Sequence, residues 1–234
     1  METPSASTLD FNLDLVSPTE ILTAIRSHLT EIAHVESKDS AIPVLSINIS
    51  GAKNQDFIGA GVRGVNEIVV HGPIGDFGLC SFGDGQCHVE GNVGDFFGHS
   101  ISSGVLVVNG NAGNATGALG AGGLIAIYGN AGDRTATGMQ GADVVVRGSV
   151  ANHAGLGMQS GTLVVTGSAG LHLGHGMCGG TIYLRGDAGS ISPDVEEQRL
   201  REPDRLKIGM MMLKSNITGA GKDFRVFRPI RAGE

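Results

Sequence analysis

Cysteine and histidine are the side chains in this sequence that could form a catalytic or metal site. Cys80 and His99 are nineteen residues apart, and they would be a candidate nucleophile and base if the fold brought them together. His175 follows far along the chain, and no acid that would orient the base is evident. The spacing of Cys80, Cys87 and Cys178 is not that of a zinc or iron–sulfur site. We therefore predict no catalytic residue, no bound cofactor and no metal in this chain.

Three basic side chains recur at the same interval. Arg134, His153 and His172 follow one another every nineteen residues, and we call them the cationic ridge. Phe77 and Phe96 occupy the same position in earlier copies. Burying like charges without counter-charges is costly, so the ridge should face water or an anionic partner. A solvated ridge is the simpler interpretation, and a site for an anion or a partner's carboxylate is the alternative.

The interval between these side chains is the period of a repeat. A leading glycine recurs every nineteen residues, at Gly72, Gly91, Gly110, Gly129, Gly148, Gly167 and Gly186. A period near twenty is typical of solenoids, in which each unit buries its apolar face by stacking on the next. Short β-branched runs such as Val144–Val146 precede the leading glycines, and glycines this dense disfavour a helix. The sequence predicts an all-β fold, a single-stranded parallel β-helix with nineteen-residue coils and short flanking helices.

Aligning the repeats sorts the side chains into columns that stack from coil to coil. Two apolar columns, four and two residues before the leading glycine, are predicted to face the core. Their members are Ile68, Cys87, Leu106, Ile125, Val144, Leu163 and Ile182, and Val70, Val89, Val108, Ile127, Val146, Val165 and Leu184. The column directly after the leading glycine is polar, with members Asn92, Asn111, Asn130, Ser149, Ser168 and Asp187. We predict that this polar column is a ladder at a corner of the coil.

The column between the two core columns should point outward, yet it is mostly apolar. Its members, which we call the outer stripe, are Val69, His88, Val107, Ala126, Val145, Val164 and Tyr183. An apolar stripe of this length on the outside of a solenoid implies that something covers it. We predict a partner interface at Val107, Ala126, Val145, Val164 and Tyr183. Cover by the chain's own terminal segments is the alternative.

The repeat divides the chain into an N-terminal segment and capping helix at 1–44, the β-helix at 45–190, and a C-terminal helix with an extended tail at 191–234. Ser17 and Glu20 have the spacing of a capping box and predict a helix from Pro18 to about Ala33. Its apolar face should cover the first coil, with Leu22, Ile25, Leu29 and Ile32. Alternating apolar residues from Phe11 to Leu15 suggest a lone strand before it.

A second helix is predicted to begin at Glu202 and to cap or flank the far end of the stack. Its apolar side is predicted to consist of Leu206, Met210 and Leu213. The tail alternates apolar residues with arginines from Phe224 to Arg228, which predicts an edge strand or a partner-binding extension.

Composition excludes several classes of function. A net charge of −7 without a basic run argues against nucleic-acid binding. No apolar run approaches the roughly 20 residues that span a bilayer, and no leader is evident. Three cysteines without a framework spacing agree with a reducing compartment. We therefore expect a cytoplasmic protein that does not contact a membrane.

The glycine pattern within the coils resembles that of a known family. Gly91–Gly98, Gly110–Gly117 and Gly167–Gly174 each have the form GxxGxxxG, and Gly129–Arg134 has the first two of these glycines. These segments resemble the GXGXG domain, the C-terminal right-handed β-helix of the glutamate synthase large subunit. In size, the chain resembles the stand-alone GXGXG subunit of N-methylglutamate synthase, and the β-helical subunit of formylmethanofuran dehydrogenase is related.

The resemblance implies a structural function. In these families the β-helix holds catalytic modules together, and no catalytic residue can be carried over to this chain. The expected partners are a flavin-binding glutamate synthase-like subunit, which would hold FMN and an iron–sulfur cluster, and a glutaminase-like subunit, together in a hetero-oligomer. The alternatives are a subunit of a formylmethanofuran dehydrogenase or formyltransferase/hydrolase complex, and an independent β-helix enzyme or binding protein.

Overall fold

The described part of the chain is a parallel β-solenoid. The computed structural model describes residues 7–35, 45–218 and 223–230, and for residues 31–35 it describes the backbone alone. The elements in chain order are β1 (Ser7–Asn12), α1 (Pro18–Val35), β2 (Leu45–Ser50), β3 (Glu67–His71), β4 (Gln86–Glu90), β5 (Val105–Val108), β6 (Leu124–Ile127), β7 (Gln140–Val146), β8 (Ser160–Val165), β9 (Thr181–Leu184), β10 (Val195–Gln198), α2 (Glu202–Lys214) and β11 (Arg225–Pro229). Strands β1 to β9 lie side by side in parallel within one sheet. The predicted fold class is confirmed.

The core is built from the two predicted columns. Val108, Ile127 and Val146 are direct neighbours in β5, β6 and β7, and none of them has exposed surface. Isolated parallel bridges link a second wall of consecutive coils, from the pair Gln55 and Ile74 to the pair Ala169 and Ala188. One apolar core therefore runs through the whole stack, and β-branched residues suit its pleated walls.

The leading glycines are required because consecutive coils approach closely. A β-carbon at Gly110 would lie 2.5 Å from the carbonyl oxygen of Gly91, which no side chain tolerates. Thirteen residues further on, Gly123 has a φ of 84°, in the left-handed region that glycine adopts without a steric penalty. The nineteen-residue period of glycine therefore reflects both close backbone contact and backbone conformation.

Two polar ladders join the coils at their corners. In the first, which we predicted, Asn92 Oδ1 accepts the backbone N–H of Asn111 at 2.8 Å, and Asn111 Oδ1 accepts that of Asn130 at the same distance. In the second, a side-chain oxygen four residues after the leading glycine accepts the equivalent N–H of the next coil. We call it the aspartate ladder, with members Asp56, Asp76, Asp95, Asn114, Asp133 and Asn152. The sequence analysis did not identify this second ladder.

Helix α1 begins with the predicted capping box. The Ser17 N–H donates to Glu20 Oε2 at 2.7 Å, and the Glu20 N–H donates to Ser17 Oγ at 3.3 Å. The hydrogen bond from the Ser17 backbone also lowers the pKa of Glu20. Both contacts satisfy backbone groups that a helix leaves open at its N-terminus.

The N-terminal segment packs on the first coil of the stack. Ile21 and Ile25 are 2% and 1% exposed within the core, whereas the side chain of Ile32 lies outside the described part. Strand β1 ends at Asn12 and pairs in parallel with β2, so the prediction of a lone strand that reaches Leu15 is wrong. Neither described helix is long and apolar enough to cross a membrane.

The C-terminal strands reverse the direction of the sheet. Strand β11 is antiparallel to β9 on one side and to β10 on the other. The predicted strand in this tail is confirmed, but its predicted edge position is wrong, because β11 lies inside the sheet.

Candidate interaction surfaces

Cys80 and His99 lie at equivalent positions of adjacent coils, where their N–H groups donate to the carbonyls of Phe77 and Phe96. His99 Nδ1 lies 2.9 Å from Ser100 Oγ, and the His99 ring meets Phe96 edge-on with a centroid distance of 6.1 Å. Burial raises the pKa of the Cys80 thiol, and burial also raises the pKa of Cys87, which lies in the core. A thiol with a raised pKa is a poor nucleophile. Among the described residues, no three histidine, cysteine, aspartate or glutamate side chains are arranged to hold a metal ion.

The outer stripe is buried beneath the chain's own C-terminal segment. The exposed fractions are 8% for Val107, 2% for Tyr183 and zero for Ala126, Val145 and Val164. Residues of α2, of the turn after it and of β11 form a second core against the stripe, with members Ile208, Met211, Met212, Ile217, Phe224 and Val226. The prediction of a partner interface at Val107, Ala126, Val145, Val164 and Tyr183 is corrected accordingly. The structure shows the alternative, in which the chain's own C-terminal segment covers the outer stripe.

Helix α2 presents the opposite face from the one predicted. Leu206, Met210 and Leu213 are 62%, 60% and 81% exposed, whereas Ile208 and Met211 are buried against the sheet. The exposed residues lie four and three positions apart and therefore share one side of the helix. A groove of about 580 Å³ lies between this side of α2 and the sheet, where Val105 and Leu124 begin β5 and β6. Lys207 and Lys214 also line the groove.

A polar cluster attaches α2 to the sheet. Asp204, 5% exposed, accepts a hydrogen bond of 2.8 Å from the Tyr183 hydroxyl and one of 2.9 Å from the Arg201 N–H. Arg228 of β11 forms an ion pair with the same carboxylate and donates to Gln198 Oε1 at 2.9 Å. The cluster therefore joins β9, α2 and β11 at one point. In the sequence, this cluster is indicated only by Asp204, an acidic residue in the first turn of the helix.

The cluster shifts two pKa values in opposite directions. Burial raises the pKa of Tyr183, and the hydrogen bond to the Asp204 carboxylate raises it further. Burial alone would raise the pKa of Asp204, but the hydrogen bonds from Arg201 and Tyr183 and the charge of Arg228 hold it below its ordinary value of 3.8. Tyr183 therefore remains a neutral donor to an ionised carboxylate near neutral pH.

The cationic ridge belongs to a column of residues in the left-handed conformation. All members of this left-handed column lie five residues after a leading glycine or at the matching corner of the first coil. They are Phe57, Phe77, Phe96, Ala115, Arg134, His153 and His172, with φ values from 53° to 60°. A left-handed backbone is uncommon for residues other than glycine. The structure therefore confirms that the three ridge residues are equivalent, one per coil.

The aromatic members of the left-handed column stack on one another. Phe77 lies 5.2 Å from Phe57 and 4.7 Å from Phe96, centroid to centroid, and all three rings are nearly parallel. The rings of His153 and His172 stack at 5.0 Å. The column thus has a phenylalanine end and a cationic end.

The repeated coils have glycines at fixed positions and parallel strands in register. The sequence profile of the GXGXG motif family matches residues 19–208, which is most of the chain. The chain belongs to the GXGXG motif family. Its comparison with curated proteins gives no match.

The structure explains the GxxGxxxG pattern of this GXGXG chain in physical terms. In the copy that begins at Gly91, a β-carbon on the first or second glycine would collide with the preceding coil, at 2.7 Å from Gly72 C and 2.4 Å from Asp76 Oδ1. The third glycine, Gly98, has a φ of 63° and needs conformational freedom instead. The motif therefore specifies how the coils stack, and its fixed positions are glycines, which carry no reactive side chain.

Proposed function

We propose that this chain is a non-catalytic assembly subunit of a glutamate synthase-like flavoenzyme complex, and specifically of an N-methylglutamate synthase, which acts on methylamine and glutamate. The observation that carries the proposal is membership in the GXGXG motif family across residues 19–208. In the families that the sequence resembles, this β-helix holds catalytic modules in place.

The internal bonding of the stack supports a scaffold. Polar side chains of the two ladders accept backbone N–H groups of the adjacent coil, so these groups are engaged within the chain. The aspartate ladder alone fixes the corner from Asp56 to Leu171. A protein that stacks its coils this way offers partners a surface of constant shape.

The partners in this proposal are a flavin-binding glutamate synthase-like subunit and a glutaminase-like subunit. The FMN and the iron–sulfur cluster are assigned to the flavin-binding partner. In this chain the most buried thiol, Cys87, packs in a core column among apolar neighbours and is not available as a cluster ligand.

Purification of the tagged chain from its native host tests the proposal. We expect a flavin-binding glutamate synthase-like chain and a glutaminase-like chain to co-purify in fixed ratio, to be identified by mass spectrometry, with flavin absorbance and methylamine-dependent turnover in the complex. A strain without this chain is the control, in which the partners should be present but not assembled. A metal hydrolase or a formyltransferase as partner would instead support the formylmethanofuran-type complex and would overturn the proposal.

A further inference from the structure

The left-handed column retains bulky side chains where neighbouring columns have glycine. Two residues further along the same corner the backbone is again left-handed, and there most coils have glycine, namely Gly98, Gly117, Gly155 and Gly174 with φ values of 63° to 73°. A left-handed residue with a β-carbon costs about 1–2 kcal/mol relative to its usual conformation. The left-handed column has that cost at seven positions, from Phe57 to His172. Its larger side chains, all except Ala115, are therefore candidates for a contribution that glycine cannot supply.

Stacking accounts for the phenylalanine end of the column but not for the cationic end. Phe57, Phe77 and Phe96 gain from contact with one another. Arg134 makes no ion pair or hydrogen bond through its side chain with any described residue, and within the same part of the chain the His153 and His172 rings have ring contacts alone. Basic side chains stacked this closely should face water or an anion.

Two carboxylates lie near the ridge, and among the described residues neither forms an ion pair with a ridge side chain. Asp133 precedes Arg134, but its Oδ1 accepts the N–H of Asn152 in the aspartate ladder. Asp194 lies 3.2 Å from His175, whose ring meets both ridge histidines edge-on at 6.5 Å. Hydrogen bonds from the Gly176 N–H and the Ser192 hydroxyl hold the pKa of Asp194 below its ordinary value. Both nearby carboxylates are therefore engaged within the chain.

The aspartate ladder loses its charges towards the C-terminal end of the stack, where Asp133, beside Arg134, is its last carboxylate. Beside Phe77 and Phe96 its members are Asp76 and Asp95, but beside His153 and His172 the same positions are Asn152 and Leu171. Leu171 is 49% exposed. In a chain of net charge −7, the corner at His153 and His172 thus combines basic side chains, neutral neighbours and an exposed leucine.

We propose that the cationic ridge binds an acidic, extended segment of a partner polypeptide. The charge complementarity of Arg134, His153 and His172 selects the carboxylates, and Leu171 offers an apolar contact beside them. The three coils span about 10 Å at the strand spacing, a distance that a few residues of an extended segment cover. This inference rests on the proposed function as a scaffold, because it identifies where a partner would bind.

Fluorescence anisotropy with a fluorescein-labelled decaglutamate peptide tests the ridge directly on the full chain. We expect saturable binding of this peptide by the parent chain. The ridge variant Arg134→Gln/His153→Gln/His172→Gln should bind about tenfold more weakly. The matched control His71→Gln/His88→Gln/Arg147→Gln removes one arginine and two histidines from the other face and should bind like the parent. Equal affinity for the ridge variant and the control, or no saturable binding, would overturn the proposal.

A second variant distinguishes loss of binding from loss of folding. Arg134→Gly/His153→Gly/His172→Gly suits the left-handed backbone and should fold, as judged by circular dichroism, while losing peptide binding to the same extent. Purification of the ridge variant from the native host separates this inference from the proposed function. A ridge variant that still assembles with the flavoprotein would refute the ridge and leave the scaffold intact, whereas a parent chain that binds the peptide but no flavoprotein would refute the scaffold alone.

Discussion

The Tyr183 hydroxyl on β9 donates a 2.8 Å hydrogen bond to Asp204 on α2. This contact lies at the edge of the second core, where Val145 and Val164 meet the C-terminal helix. It couples the outermost of the parallel coils to the segment that covers the outer stripe. The stability of the cover should therefore depend on this pair more than on any exposed ion pair.

Removal of the Asp204 carboxylate should destabilise the protein strongly. Asp204→Ala leaves the Tyr183 hydroxyl and the Arg228 guanidinium without their shared acceptor, and we expect a loss of about 3 kcal/mol in the free energy of unfolding. Tyr183→Phe removes a single hydrogen bond and should cost about 1–2 kcal/mol. Urea unfolding measures both. Glu197→Gln, which breaks the exposed pair with Arg225, is the control and should cost under about 1 kcal/mol.

The Asp204 carboxylate should also make stability depend on acid pH. Its pKa in the folded chain lies below the ordinary value of 3.8, so its contribution is complete above that pH and disappears as the pH falls through the folded pKa. Asp204→Asn should flatten the stability profile below about pH 4 relative to the parent. The same acid slope in both proteins, measured by thermal melting, would contradict this assignment.

Tyr183 should impose a limit on the alkaline side. Its pKa is raised above the ordinary value of 10.0, so the neutral phenol stabilises the fold below that pH and the stabilisation is lost as the pH rises above it. We expect Tyr183→Phe to lose less stability than the parent between pH 9 and about pH 11. Tyr128, whose hydroxyl donates to the Ser215 carbonyl at 2.8 Å, offers Tyr128→Phe as the comparison.

Charges placed in the outer stripe should unfold the cover. Val145→Asp/Val164→Asp buries two carboxylates against α2 without counter-charges and should cost several kcal/mol, seen as a large drop in melting temperature of the isolated chain. Val145→Ala/Val164→Ala is the matched variant and should lose about 2–4 kcal/mol through cavities alone. If the aspartate variant melts like the parent, α2 does not cover the stripe.

Backbone strain at the cationic ridge can be measured by comparing two truncations. Arg134→Ala and Arg134→Gly remove the same side chain, but alanine keeps the strained φ of 58° whereas glycine accepts it. We expect the glycine variant to be more stable than the alanine variant by about 1 kcal/mol. Equal stability would mean that the left-handed column carries no strain, which would remove one support of the ridge proposal.

The sequence predicts the coils well because their information is local and repeated. A core position such as Ile127 is specified by its offset from Gly129 and is confirmed by the equivalent position in every other coil. The first helix is similarly local, because Ser17 and Glu20 define its start. Where a period or a cap exists, the pattern alone determines which side chain faces the core.

The C-terminal segment could not be predicted in the same way. Helix α2 has apolar residues on both faces, Leu206 and Met210 on one and Ile208 and Met211 on the other. The choice between the faces depends on Tyr183, which is distant in sequence and holds Asp204 in place. The partner predicted for the outer stripe was mistaken for the same reason, since the covering segment has no repeat that would reveal its target.

The outermost strands of the described sheet, β1 and β10, also bear on self-association. Stacked β-coils could in principle grow end to end into fibres, because each terminal strand offers free backbone groups to another copy. Here β10 is four residues long and carries Glu196 beside the Glu197–Arg225 ion pair, while β1 carries Asp10. Two copies placed head to tail would bring these carboxylates together, and their repulsion at neutral pH opposes polymer growth.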